Sequence, residues 1–231
     1  MKTIKKNRMG LHDASRQDDI YAMSFMQPLL NAGPFLPFSN GTLRPIDMVC
    51  ILSDVVINKP TSILEFGCGI SSVLLGRLIR QTGLKCQVYS VEHDRQWMVN
   101  ATAYLSNEQL TDVVQLIHAP LTSEGRMPGD EWYDTSSLVK AGITEKTFDM
   151  VLIDGPPAWQ MKKCRARYPA FPFVRSLLSD NGVVYLDDAN RDGEKMVIRQ
   201  WQKDFQIEFQ WSRGNLAFYS PGQRYNPVLL K

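Results

Sequence analysis

Paired cysteines, a surplus of one charge and long apolar runs are all missing from this chain, and each absence removes a class of protein. The four cysteines, Cys50, Cys68, Cys86 and Cys164, lie far apart and form no CxxC pair. That spacing supplies neither a zinc ribbon nor a disulfide framework, and it fits a reducing cytoplasm. The 26 Lys+Arg nearly cancel the 24 Asp+Glu, so net charge makes no case for a nucleic-acid partner. No apolar stretch approaches the roughly 20 residues of a membrane span. The basic start MKTIKKNRMG is not followed by the apolar core of a secretory signal. Internal repeats and low-complexity tracts are absent too.

What the 231 residues do contain is room for one sizeable α/β domain with a small elaboration. Residues 1–45 stand apart, rich in Pro, Gly and Asn around NAGPFLPFSNGTLRP. They read as a helix near 16–30 and a loop, a cap or lid preceding the main domain at 46–231, which opens with a helix at 45–57. From residue 62 short apolar strands recur: SILEF 62–66, CQVYSV 86–91, VVQLIH 113–118, FDMVLI 148–153 and GVVYLD 182–187. Helical spacing lies between them at about 71–81, 94–106, 132–141, 170–179 and 192–203. Short continuous apolar strands alternating with helices indicate a parallel sheet covered on both faces. The end breaks the pattern. FQIEFQW, a short SRGN turn and LAFYS must form an antiparallel pair.

The first strand runs into Gly67-Cys68-Gly69-Ile70-Ser71-Ser72. Glycines in such a turn let a ligand approach the backbone closely. Ser72 stands where a dinucleotide fingerprint has its third glycine, and Glu65, two residues before Gly67, suits a cationic ligand better than a pyrophosphate. Glu92, at the end of the second strand, is placed to accept hydrogen bonds from both hydroxyls of a ribose. His93 either flanks an adenine or is merely exposed, and Asp94 is a helix N-cap.

These residues resemble the class I S-adenosylmethionine-dependent methyltransferases over about residues 45–220. The family's E-x-G-x-G-x turn corresponds to Glu65 through Ser71, its ribose acid to Glu92 and its reversed last strand to LAFYS. The resemblance implies a Rossmann-like doubly wound α/β sheet of order 3-2-1-4-5-7-6 with strand 7 antiparallel. It implies S-adenosyl-L-methionine as cofactor, held by Glu65, Gly67, Gly69, Ser71, Ser72, Glu92, His93, Asp154 and, through backbone and shape at the adenine, Ala119. FDMVLIDGPP, RYPAFPFV and GVVYLDDANRDGE resemble a bacterial branch grouped with small-molecule and sugar O-methyltransferases.

Ligands of open α/β sheets bind beyond the carboxyl ends of the strands. Strand four delivers Asp154 there and strand five Asp187 and Asp188. A hydroxyl acceptor needs a base or a metal that lowers its pKa, so these three are the catalytic candidates and, together, a candidate oxygen site for Mg²⁺. DDAN is equally readable as a loop that caps the next helix. The DGPP string lacks the aromatic of the [ND]PP[YF] signature, which disfavours methylation of bases. Lys162, Lys163, Arg165 and Arg167 form a basic cluster, either a solvated surface or a grip on an anionic group, with Arg167 its leading member. Trp159 and Tyr168 are candidates to stack on a sugar or aromatic ring. The expected reaction is methylation of a small-molecule or saccharide hydroxyl. An amine or protein methyltransferase, a nicotinamide dehydrogenase and a non-catalytic nucleoside-binding protein are the rivals.

Overall fold

Burial with a period of two sorts the strand residues onto two faces. Ile63, Val88, Met150, Leu152, Val183 and Tyr185 face one core, while Leu64, Phe66, Val91, Val151, Ile153, Val184 and Leu186 face the other. The computed structural model in which this is seen describes residues 2–39, 41–124 and 131–225, with side chains from residue 16 onward. The chain starts with α1 (Lys2–Leu30) and α2 (Pro45–Asn58), then β1 (Ser62–Phe66), α3 (Ile70–Thr82), β2 (Gln87–Glu92), α4 (Arg95–Asn107) and β3 (Val114–His118). A small antiparallel pair follows, β4 (Leu121–Thr122) with β5 (Trp132–Tyr133), and then α5 (Thr135–Lys140). The remainder is β6 (Phe148–Ile153), α6 (Ala170–Val174), β7 (Leu178–Leu186), α7 (Asp192–Phe205), β8 (Gln210–Trp211) and β9 (Ala217–Tyr219).

The main sheet has the order β3-β2-β1-β6-β7-β9-β8. All pairs are parallel except those of β9, which is antiparallel to both β7 and β8. Counting only these seven strands, this is the expected order 3-2-1-4-5-7-6. The connections from β1 depart in one direction and those from β6 in the other, so a cleft opens between their carboxyl ends. Local chemistry places the helices around it. Pro45 starts α2 in the first turn, Gly83 ends α3 at φ 66°, and Asp94 caps α4 by accepting from the Gln96 and Trp97 amides at 2.8 and 3.1 Å.

Four expected elements differ. The first helix, expected near 16–30, spans Lys2–Leu30. The helix at 132–141 is shorter, because Trp132 and Tyr133 pair with β4 and Asp134 caps α5 only from Thr135. The helix at 170–179 ends at Val174, and β7 begins at Leu178, before the expected 182, with a register shift opposite Phe148 and Met150. The strand expected over 205–211 reduces to Gln210–Trp211, since α7 continues to Phe205 and stops at Gln206, whose φ is 53°.

The N-terminal segment packs with the domain. Ala22, Met26 and Leu29 of α1, and Leu36 and Leu43 of the following loop, belong to the same core as α2 and α3. Arg77 of α3 anchors the start of that loop. Its Nη1 donates to the carbonyls of Leu29 (2.7 Å) and Leu30 (3.3 Å), and its Nη2 to that of Pro34 (2.9 Å). Glu108 grips the same guanidinium at 2.6 and 2.7 Å. From this anchor the loop passes over the carboxyl ends of the strands.

Candidate active site

The turn after β1 is set by backbone approach. Gly67 has φ 93°, and a Cβ there would lie 3.2 Å from the carbonyl carbon of Asp154. Both features call for glycine. The turn, Glu92 and the loop residues Pro37, Ser39, Gly41, Thr42 and Leu43 enclose a cavity of about 400 Å³. Glu92 Oε1 accepts from the His93 and Asp94 amides, both at 2.7 Å, and Oε2 from Cys68 N at 3.2 Å. Burial pushes the Glu92 carboxyl up, but hydrogen bonds from His93 and the Asp94 amide outweigh it and hold it below the usual range. An ionised acceptor therefore borders the cavity beside an open glycine turn, which is the chemistry a ribosyl ligand requires. His93 also lines the cavity, with Nδ1 2.8 Å from Glu92 Oε1.

The expected cofactor residues divide. Gly67, Gly69, Ser71, Glu92, His93 and Asp154 line this cavity. Glu65, Ser72 and Ala119 do not; they lie beneath it, at no more than 1 % exposure. The Glu65 carboxylate accepts hydrogen bonds from Ser71, Ser72 and Ser90. The parallel register sets Glu65 opposite Ser90. Burial raises the Glu65 pKa against these three donors. Glu65 thus ties the turn and α3 to β2 from below, in place of the expected direct meeting with a cationic ligand.

A second cavity, of about 450 Å³, adjoins the first and shares Gly41, Thr42, Asp154 and Pro157 with it. Ala158, Trp159, Arg167, Asp187, Asp188 and Arg191 complete its wall. Asp154, Asp187 and Asp188 each bring one carboxylate oxygen within 4.8 Å of the others. Burial, then the charge of Asp187, pushes Asp154 well above the usual carboxylate range. Burial, then Asp188, pushes Asp187 up to about 7. Asp187 Oδ1 has no hydrogen-bond partner among the described residues.

Arg167 occupies this cluster, so of the two readings of the basic segment a solvated surface does not hold for Arg167, which is met by this chain's own carboxylates. It is 3 % exposed, 3.2 Å from Asp188 Oδ2 and 3.4 Å from Asp154 Oδ1. Burial pulls its pKa down, but Asp154, Asp188 and Glu194 outweigh that and keep it charged. Lys162, Lys163 and Arg165 line neither cavity; Lys163 pairs with Glu131 at 2.9 Å. Tyr168 also lines neither cavity, its hydroxyl donating to Asp204 at 2.7 Å. Trp159 does line the second cavity and is 70 % exposed.

Sequence reasoning missed Trp97, whose Nε1 donates to Cys68 O at 2.7 Å, and Glu194, buried 3.7 Å from Arg167. It also missed Tyr133, fully buried at the cofactor-side wall with a hydroxyl unpartnered among the described residues. The helical spacing at 132–141 covers Tyr133; the aromatic pair Trp132-Tyr133 directly before the capping Asp134 is the available signal.

Sheet order, glycine turn and strand-end acid together define a class I methyltransferase fold. A family described as a methyltransferase domain matches residues 64–189, more than half of the chain. The chain belongs to this methyltransferase-domain family and is an S-adenosylmethionine-dependent methyltransferase. The S-adenosylhomocysteine-bound methyltransferase PaMTH1 of Podospora anserina superposes with a TM-score of 0.60 at 14% identity, covering 95% of each chain. An O-methyltransferase of Bacillus cereus in complex with S-adenosylhomocysteine gives 0.56 at 18% identity, over 85% of this chain and 87% of that one. The O-methyltransferase TomG of Streptomyces achromogenes, in complex with S-adenosylmethionine, gives 0.51 at 16%, over 85% and 86%. At these identities the likeness is one of fold. No curated protein matches the chain in sequence.

Proposed function

We propose that the protein transfers a methyl group from S-adenosylmethionine to a hydroxyl of a small molecule or saccharide. The observation that carries this reading is that two cavities meet at Asp154: one bounded by the glycine turn and Glu92, the other by the strand-end carboxylates and Trp159. Bound S-adenosylmethionine supplies an electrophilic methyl group. Glu92 would hold the ribose hydroxyls, and the Gly67–Gly69 turn would admit the methionine part against the backbone. Asp154 in its ionised form is the group placed to take the proton of the acceptor hydroxyl, and its raised pKa makes that form a stronger base than an ordinary carboxylate. Asp187 and Asp188 would accept from neighbouring hydroxyls of the acceptor, with Trp159 as a stacking face. Arg191 at the rim, itself paired with Asp188 at 2.7 Å, suits an acceptor that carries an anionic group. Pro37, Ser39 and Gly41 to Leu43 of the loop before α2 border the first cavity, and Gly41 and Thr42 border the second as well. O-methyltransferases with bound cofactor or product among proteins of this fold support the reading.

Calorimetry with S-adenosylhomocysteine tests the cofactor half. Wild type should bind, and Glu92→Ala should lose about 1.5–3 kcal/mol, the scale of hydrogen bonds to a charged group. Unchanged affinity in the variant would remove Glu92 from the site. Mass spectrometry of products from a panel of hydroxyl and amine acceptors, with labelled cofactor, tests the acceptor half. Exclusive labelling of amines would overturn the O-methylation reading.

A further inference from the structure

Arg167 reaches the strand ends from the segment between β6 and α6, and its guanidinium makes four hydrogen bonds there. Nε donates to the carbonyl of Pro156 at 3.2 Å, Nη1 to that of Asp187 at 3.0 Å and Nη2 to that of Asp154 at 2.9 Å. Nη2 also donates to Asp154 Oδ1 at 3.4 Å, and Nη1 forms an ion pair with Asp188 Oδ2 at 3.2 Å. Glu194 Oε1 stands at 3.7 Å, behind them. A guanidinium offers five donors in a rigid planar fork, whereas an ammonium offers three. The pocket is therefore matched to arginine, and it joins the backbone at the end of β6 to the backbone at the end of β7.

Clustered carboxylates repel unless a cation or a proton is shared among them. A divalent ion is one way to meet that need, and the three strand-end acids are near enough to one another to bridge one. Yet Asp188 Oδ2 already lies between two guanidiniums, Arg167 and, at 2.7 Å, Arg191. Asp154 Oδ1 faces Arg167 as well. Mg²⁺ demands near-octahedral oxygen ligands at about 2.0–2.1 Å. Seated on these oxygens it would stand beside a buried guanidinium, where screening is weak and like charges repel strongly. The donor set with Arg167 in place does not fit a divalent ion.

We propose that Arg167 is the resident cation of the reaction centre. It takes the charge-compensating place of a divalent metal and positions Asp154 and Asp187 for an acceptor. The inference rests on the reading of this cluster as the methyl-acceptor site. In it Arg167 is a positioning residue that acts through the carboxylates.

Mn²⁺ alone is the probe for the charge-compensating role, and it needs no acceptor. Titration of the full-length wild-type protein, followed by electron paramagnetic resonance, should show no saturable one-to-one site at micromolar Mn²⁺. Arg167→Gln, which removes the cation and keeps the acids, should bind Mn²⁺ at least about ten-fold more tightly than wild type. With an acceptor from the panel, EDTA should leave the wild-type rate unchanged. Arg167→Ala should lower kcat by about 10²-fold, the cost of a misplaced reacting group, with S-adenosylhomocysteine affinity preserved. Guanidinium ion in the buffer should restore part of that rate, and Arg167→Lys should stay slow. One-to-one Mn²⁺ binding by wild type that Asp188→Asn abolishes would overturn the proposal, as would loss of rate in EDTA. Should the Arg167 variants fail to fold, the wild-type titration decides alone. Failure of wild type to bind S-adenosylhomocysteine would overturn the functional reading instead, and leaves the Mn²⁺ result readable.

Discussion

At the scale of single residues, the same carboxylate chemistry is used for opposite ends. Glu92 and Glu65 are 4 % and 0 % exposed. Amide and His93 donors keep Glu92 in its ionised form, a ligand-facing acceptor, whereas burial outweighs the serine donors at Glu65 and favours its proton. The folded state therefore binds the Glu65 proton more tightly than the unfolded chain does. Below the ordinary carboxylate range both states are protonated and no difference exists. As pH rises above it, the unfolded chain ionises first and wild-type stability falls. Glu65→Gln keeps partners for the serines and has no proton to lose. Its stability relative to wild type should therefore rise between about pH 5 and about pH 8. Urea unfolding at the two pH values checks this; a constant difference would mean that Glu65 ionises normally in the fold.

At the scale of elements, the loop between α1 and α2 is held by a buried ion pair. Arg77 and Glu108 side chains are 3 % and 8 % exposed, and Arg77 also closes the C-terminal carbonyls of α1 at Leu29 and Leu30. Breaking one side of a buried pair strands the other charge, so Arg77→Met should cost about 3–5 kcal/mol. Replacing both, Arg77→Met with Glu108→Leu, should recover much of that loss. The variants should be cleaved by protease within 31–44 faster than wild type in the presence of S-adenosylhomocysteine, because residues of that loop line the cavity proposed for this ligand. Denaturant unfolding of the single and double variants, together with the cleavage rates, reads both effects. A double variant as unstable as the single one would show that the lost carbonyl caps, and not the stranded charge, dominate.

At the scale of the whole molecule, the sheet reverses its order at β1 and β6, and the functional groups gather where it does. Parallel neighbours bring Phe66 opposite Ile153 and Ile153 opposite Leu186, so the residues just beyond, Gly67, Asp154 and Asp187, emerge side by side. Asp154 stands in the middle of that row and borders both cavities. Asp154→Asn, which keeps the size of the side chain, should therefore cut kcat by about 10²–10⁴, the worth of a positioned acid–base group. A kcat near wild type in a folded variant would place the reaction centre elsewhere in the second cavity.

Much of this was legible along the chain because the signals are local. Apolar runs of five or six residues, helical spacing between them and the short last connection mark the elements of a parallel sheet with an antiparallel end, and the resemblance to class I methyltransferases implies their order. Strand ends also announce Glu92, Asp154, Asp187 and Asp188, since a parallel sheet must present them at one edge. What the tertiary structure alone decided concerns which way side chains face and what they meet. Lys162, Lys163, Arg165 and Arg167 look alike in sequence, yet Arg167 turns inward to acceptors supplied by two strands and α7, partners that lie up to 27 positions away in the chain. Glu65 points down to Ser90 because pairing of β1 with β2 puts them in register, and Tyr133 reaches the cavity because β4 captures its strand. Burial and charge balance are sums over segments distant in sequence, and they exist only once the sheet has brought those segments together.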